Sequence, residues 1–74
     1  MVTVQIFSQS TGKPMKGTGV DVSEVGFFHG MTHSETDNNG EAHFANLSPG
    51  EVEIYVNGNT LFKGRLEGRK VIYI

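Results

Sequence analysis

The chain has 74 residues, with 6 Lys and Arg, 8 Asp and Glu, 10 Gly and no Cys. This length allows a single domain, and the lack of cysteine excludes disulfides, thiolate zinc sites and cysteine nucleophiles. A formal net charge of -2 gives no general attraction to nucleic acid or acidic membranes, and the apolar runs are too short to span a bilayer.

Alternation of apolar and polar residues with a period of two dominates the chain and predicts strands rather than helices. Val2, Val4 and Ile6 share one face of the first strand. Residues 10–17 collect turn formers, the pattern blurs over residues 25–30, and Pro49-Gly50 ends the fourth strand. The predicted strands cover residues 2–8, 20–22, 31–36, 42–44, 52–56, 61–66 and 71–74.

The register of the hairpin around Asn57-Gly58-Asn59 follows from the requirement that each face keep one polarity. A two-residue turn at Asn57-Gly58 would mix apolar and charged residues on both faces. A three-residue loop instead pairs Ile54 with Phe62 on the inner face, and it pairs Glu53 with Lys63 on the outer face. We therefore predict the three-residue loop, which also places Tyr55 and Leu61 together on the outer face.

A second hairpin is predicted around the turn Asp37-Asn38-Asn39-Gly40. Aspartate caps turn amides with its side chain, and Gly40 can supply the positive φ that such a turn needs. The matching register pairs Asp37 with Glu41 and Glu35 with His43. Ala42 and Phe44 then point into the core.

Short strands separated by turn signals every few residues are typical of antiparallel sandwiches and barrels. The sequence therefore predicts one all-β domain over residues 1–74.

Two segments resemble a known family. Residues 11–17 read Thr-Gly-Lys-Pro-Met-Lys-Gly, and residues 36–50 read Thr-Asp-Asn-Asn-Gly-Glu-Ala-His-Phe-Ala-Asn-Leu-Ser-Pro-Gly. Together they resemble the carboxypeptidase regulatory-like domains of the transthyretin-like (prealbumin-like) group, which includes the Cna-B modules. The resemblance implies a seven-stranded antiparallel Greek-key sandwich, usually a non-catalytic accessory, spacer or adhesive module.

The resemblance has two departures. Cna-B modules often carry an isopeptide bond between Lys and Asn, but residues 2–8 contain no Lys and residues 71–74 contain no Asn or Asp. We therefore expect no isopeptide bond. The family is mostly exported, whereas no signal peptide precedes the first strand. The chain is expected either to act in the cytoplasm or to be a domain excised from an exported protein.

Three side chains form a candidate metal site in the predicted hairpin. His33, Glu35 and His43 would project from one outer face, with Glu35 opposite His43. Imidazole and carboxylate at that separation can hold a divalent metal such as zinc or nickel. The alternative is a solvated polar surface, and a register slip of one residue would scatter the three groups.

Other chemistries find less support. The segment from Asp37 to Glu41 is too short for an EF-hand loop and has its glycine at the wrong position. No serine lies in a nucleophile-elbow sequence, and a domain of this size has little volume for a catalytic cleft. The basic residues near the carboxyl end lack interleaved aromatic residues and are expected to be solvated strand charges: Lys63, Arg65, Arg69 and Lys70.

A candidate interaction surface comes from apolar residues that do not fit a one-sided pattern. Phe27 and Phe28 are adjacent, so only one of them can enter the core from a strand. In the last strand, Val71 and Tyr73 are expected to point inward, which leaves Ile72 and Ile74 on the outer face. A second copy or another domain would cover them, unless a loop or the first strand already does.

These observations predict a non-catalytic protein-interaction or structural accessory module, with self-association as one of its forms. No cofactor and no catalytic residue are predicted. The expected partner is another protein or a second copy, with neither nucleic acid nor membrane insertion. The alternative function is small-ligand or divalent-metal binding on the outer hairpin face.

Overall fold

Seven β-strands make up the fold in the computed structural model, which describes residues 2–25, 30–45, 47 and 50–74. Their bounds are β1 Val2–Phe7, β2 Gly19–Glu24, β3 Met31–Glu35, β4 Glu41–Phe44, β5 Gly50–Val56, β6 Asn59–Leu66 and β7 Arg69–Tyr73. Within the described ranges there is no helix long and apolar enough to cross a membrane.

The strands form two sheets. The front sheet has the order β4-β1-β7, and the back sheet has the order β3-β2-β5-β6. β1 runs antiparallel to β4 and parallel to β7, whereas the pairs of the back sheet are antiparallel. The predicted all-β sandwich is thereby confirmed, and its Greek-key, prealbumin-like connectivity stays a prediction.

The core lies between the two sheets and is built mainly from alternate residues of β1, β2, β4 and β5, with one buried apolar residue each from β6 and β7. Phe44 is the largest of its fully buried side chains. Alternation of side chains across a strand explains why one apolar face per strand is enough to build this layer. The buried apolar residues are Val2, Val4, Ile6, Val20, Val22, Ala42, Phe44, Val52, Ile54, Val56, Leu66 and Ile72.

The β5–β6 hairpin keeps the predicted register by a different turn. Ile54 pairs with Phe62 and Glu53 with Lys63, as expected. The turn itself has two residues, Asn57 and Gly58, both with positive φ (52° and 82°). A register shift after Ile54 then brings Tyr55 opposite Thr60, so Leu61 is the extra residue of a bulge. The predicted three-residue loop was wrong. The turn has two residues, and the extra residue Leu61 in β6 restores the predicted pairing of Ile54 with Phe62.

The predicted β3–β4 hairpin is also wrong. The turn forms, since the Asp37 amide donates to the Glu41 carbonyl at 3.0 Å, but β3 and β4 belong to different sheets. β4 pairs with β1 instead, with Phe44 opposite Val2. After the crossing, Ala42 and Phe44 of β4 point into the core between the sheets.

Buried Thr36 fixes this crossing from the back sheet to the front sheet. Its hydroxyl accepts the Thr18 amide at 2.9 Å and donates to the Met15 carbonyl. The loop before β2 is thereby tied to the end of β3. A buried hydroxyl with both a donor and an acceptor satisfied favours one arrangement of these segments.

The orientation predicted for the last strand is reversed. Ile72 is 7% exposed and joins the core, whereas Val71 and Tyr73 are 41% and 56% exposed. The parallel register explains this, because Ile72 pairs with the inward Ile6 and paired residues share a face. Ile74 also packs against the core. The other two residues of the expected surface, Phe27 and Phe28, lie outside the described residues.

Candidate functional site on the front sheet

The outer face of the front sheet gathers polar and aromatic side chains into three rows that run across β4, β1 and β7. The first row is His43, Thr3 and Arg69; the second is Glu41, Gln5 and Val71; the third is Phe7 and Tyr73. The first two rows are mostly polar, and the third is aromatic. We use the name acid–imidazole cluster for Asp37 together with the polar residues of the first two rows, which are Thr3, Gln5, Glu41, His43 and Arg69.

Asp37 is positioned by the turn that precedes β4. Its Oδ1 accepts the amides of Asn39 at 2.9 Å and Glu41 at 3.0 Å. These hydrogen bonds, that from Glu41 first, lower the pKa of Asp37 below its usual value, with a smaller contribution from His43. The second oxygen, Oδ2, lies 3.5 Å from Nε2 of His43.

His43 and Glu41 are two residues apart on β4 and therefore project from the same face. The Thr3 hydroxyl lies 3.1 Å from Nδ1 of His43. Glu41 is held from the other side, because Nη1 of Arg69 donates to its Oε2 at 2.7 Å across β1. One ligand atom each from Asp37, Glu41 and His43 can be chosen within 4.8 Å of one another.

The predicted metal set of His33, Glu35 and His43 is not brought together. His33 lies on the back sheet, where its Nδ1 is 2.7 Å from Oδ1 of Asp21 on β2. His43 lies on the front sheet. The proposed pairing of Glu35 with His43 failed because β4 pairs with β1. A sequence signal for the cluster did exist, since Glu41 and His43 alternate on one strand directly after a turn capped by aspartate.

The basic residues of the last two strands do not form one patch. Lys63 on β6 lies 3.7 Å from Glu53, and Arg69 on β7 pairs with Glu41 on the front sheet. Lys70 instead covers the ring of Phe62, with Nζ 4.3 Å from the ring centroid. These cations serve separate local contacts.

The aromatic row adjoins the edge of β7, a strand that pairs with β1 alone among the residues that the structure describes. The rings of Phe7 and Tyr73 are stacked, with centroids 5.3 Å apart and planes 23° from parallel. Val71 lies beside them on the same outer face, between Arg69 and Tyr73. Apolar surface left on an edge strand in this way is available for contact with another chain.

Acid should remove a stabilising contribution of Asp37. Because its folded pKa is lowered, that contribution is complete above the ordinary value of 3.8 and is lost as the pH falls through the folded pKa. Asp37→Asn should therefore be less stable at neutral pH and should lose less further stability in acid. Urea unfolding followed by circular dichroism, across a pH series, measures both effects. Parallel curves of unfolding free energy against pH for the two proteins would contradict the expectation.

A scan of the sequence against protein-family models finds no match, and a search of curated proteins finds none either.

Proposed function

We propose that the chain is a non-catalytic protein-interaction module of the transthyretin-like kind, and that it self-associates through the edge of β7 that faces away from β1. The observation that carries the proposal is the exposure of Val71 and Tyr73 on an edge strand. The resemblance of residues 11–17 and 36–50 to the family supports the type of module, as do the seven strands in two sheets.

The backbone of β7 offers hydrogen-bonding groups at this edge. The Gly68 carbonyl accepts the Thr3 amide, and the Ile74 amide donates to the Phe7 carbonyl, each at 2.9 Å. Backbone groups alternate in direction along a strand, so those of Val71 point away from β1. In the part of the chain that the structure describes, β7 pairs with β1 alone.

A second copy fits this edge in an antiparallel arrangement around a two-fold axis at Val71. Each Val71 would then face its equivalent and exchange both backbone hydrogen bonds with it. Each Arg69 would lie opposite Tyr73 of the other copy, so no like charges face each other on the outer surface. The two front sheets would continue as one sheet across the axis.

Edge strand β6 is less suited to self-pairing. It presents Lys63 and Arg65 on its outer face and carries the bulge at Leu61. Charges and bulges on an edge strand discourage pairing with another sheet. The outer face of β7 carries one charge, that of Arg69, which is paired with Glu41, and the described pairing of β7 with β1 has no bulge.

The surroundings of the polar groups support a non-catalytic role. The side chains of Asp37, His43 and Arg69 are 45%, 47% and 49% exposed on an open sheet face. Water competes with every interaction at such a surface, whereas catalytic groups depend on sites that exclude it.

Light scattering after size exclusion, across a wide concentration range, tests the proposal. The unaltered protein should shift from the monomer mass toward twice that mass as concentration rises. Val71→Lys should remain monomeric, because it places two ammonium groups face to face at the axis. Leu61→Lys is the matched control, since Leu61 is 40% exposed against 41% for Val71 but lies on β6. A monomer at every concentration, or an equal effect of both variants, would refute self-association through β7.

A further inference from the structure

We infer that Asp37, Glu41 and His43 form a binding site for a divalent first-row transition cation, with zinc as its simplest probe. The site lies at the β4 side of the front sheet, whereas the proposed contact with a second copy lies at β7. The inference therefore stands independently of self-association.

The three donors converge without any rearrangement of the backbone. Their ligand atoms lie within 4.8 Å of one another. Two ligands of one cation with bonds of about 2.0–2.2 Å are at most about 4.4 Å apart, so the side chains have to move together slightly when the cation binds. Each donor also comes from a short, hydrogen-bonded segment, namely the capped turn for Asp37 and β4 for Glu41 and His43. The two oxygens that hold other partners, Oδ1 of Asp37 and Oε2 of Glu41, leave one oxygen of each carboxylate for the metal.

Thr3 orients the imidazole for this role. When a metal takes the place of the proton on Nε2, the remaining ring proton lies on Nδ1, which is 3.1 Å from the Thr3 hydroxyl and can donate to it. Nε2, which faces the Asp37 carboxylate, is then the ligand atom. Histidine ligands of metals commonly donate their other ring N–H to an oxygen in this way, which fixes the tautomer and the ring orientation. Thr3 is therefore a positioning residue of the site.

The donor set and the charge select the class of cation. One imidazole and two carboxylates suit zinc and its neighbours, whereas calcium and magnesium prefer oxygen ligands throughout. Arg69 neutralises one of the two carboxylates through its contact with Glu41. The two carboxylates and the one guanidinium leave one uncompensated negative charge, which favours a divalent cation. Three protein ligands leave positions for water on this exposed face.

Isothermal titration of the full chain with zinc chloride tests the site. The unaltered protein should release binding heat that His43→Ala abolishes. His33→Ala is the matched control, because His33 is also an exposed imidazole next to a carboxylate, that of Asp21, but lies on the back sheet. It should leave the heat unchanged. No heat at millimolar zinc, or heat that survives His43→Ala, would overturn the inference.

Two further measurements separate binding from a loss of folding. In imidazole nitrogen spectra of the unaltered protein, zinc should move the Nε2 resonance of His43 and leave that of His33 in place. Thr3→Val keeps the shape of the side chain but removes the acceptor for Nδ1, and it should weaken zinc binding about 10–100-fold. Shifts at His33 instead of His43, or an unchanged affinity in Thr3→Val, would contradict the geometry described.

Discussion

Replacing Gly40 with alanine should destabilise the domain strongly, because the added methyl group meets backbone that cannot move aside. An ideal Cβ at Gly40 would lie 2.5 Å from the Ile6 carbonyl oxygen and 3.2 Å from the Met15 amide nitrogen. The Gly40 carbonyl also accepts the Ile6 amide at 2.8 Å, so β1 and the turn are closely joined there. Overpacking of this kind costs about 1–3 kcal/mol.

Gly40 adds a second cost, since its φ is +75°, which L-residues adopt at an expense of about 1–2 kcal/mol. Gly12→Ala separates the two costs, because Gly12 has nearly the same φ, +72°, and an added methyl group there would meet nothing within 4 Å. Urea unfolding of both variants should show Gly40→Ala losing clearly more free energy of unfolding than Gly12→Ala. Equal losses would mean that the clash with Ile6 contributes nothing.

Removing the ring of Phe44 should also come close to unfolding the domain. Phe44 is fully buried between the sheets, and truncation of a buried phenylalanine to alanine costs about 3–5 kcal/mol. A domain of 74 residues has a total stability of roughly 4–11 kcal/mol. We therefore expect Phe44→Ala to be partly unfolded at 25 °C, with a much lower unfolding midpoint in urea.

Phe7→Ala provides the control for that measurement. It deletes the same atoms from β1, next to Tyr73 on the outer face, where the ring contributes one aromatic contact and leaves no internal cavity. A stacked aromatic pair contributes about 0.5–1.5 kcal/mol beyond its area, so Phe7→Ala should cost less than Phe44→Ala. A larger loss in Phe7→Ala would place the centre of the core elsewhere.

Where the sequence pattern is local and one-sided, it predicted the structure well. Val2, Val4 and Ile6 alternate with polar residues, and their inward orientation is confirmed, as is that of Ala42 and Phe44. The positive φ expected at Gly40 is confirmed too. These features depend on neighbours within a few positions, so a pattern of period two is sufficient to identify them.

Where the inward face of a strand depends on pairing with a distant strand, the sequence pattern was not sufficient to predict it. Residues 71–74 are all apolar, so their pattern does not distinguish the two faces of the strand, and the predicted inward orientation of Val71 and Tyr73 was wrong. The register with β1 makes that choice, since Ile72 lies beside Ile6. Pairing between the two ends of the chain carries no local signal.

Dependence on a distant strand also explains why the residues near His43 differ from those that the sequence predicted. A tight turn at Asp37–Gly40 is compatible both with a hairpin and with a crossing between sheets. The crossing depends on the pairing of β4 with β1 and on the contacts of buried Thr36 with Thr18 and Met15. The groups that lie near His43 are therefore Asp37 and Glu41 rather than the predicted His33 and Glu35.

The parallel pairing of β1 with β7 has a mechanical consequence. Parallel strands begin at the same end, so Val2 lies at one end of the pair and Ile74 lies at the opposite end. A pulling force applied to these two residues runs along the strands and across the evenly spaced, slanted hydrogen bonds between them. The force then acts on all hydrogen bonds of this pair together rather than one after another. The series begins with the bond from the Thr3 amide to the Gly68 carbonyl and ends with the bond from the Gln9 amide to the Ile74 carbonyl. Separation of β1 from β7 under tension therefore requires several hydrogen bonds to break at the same time.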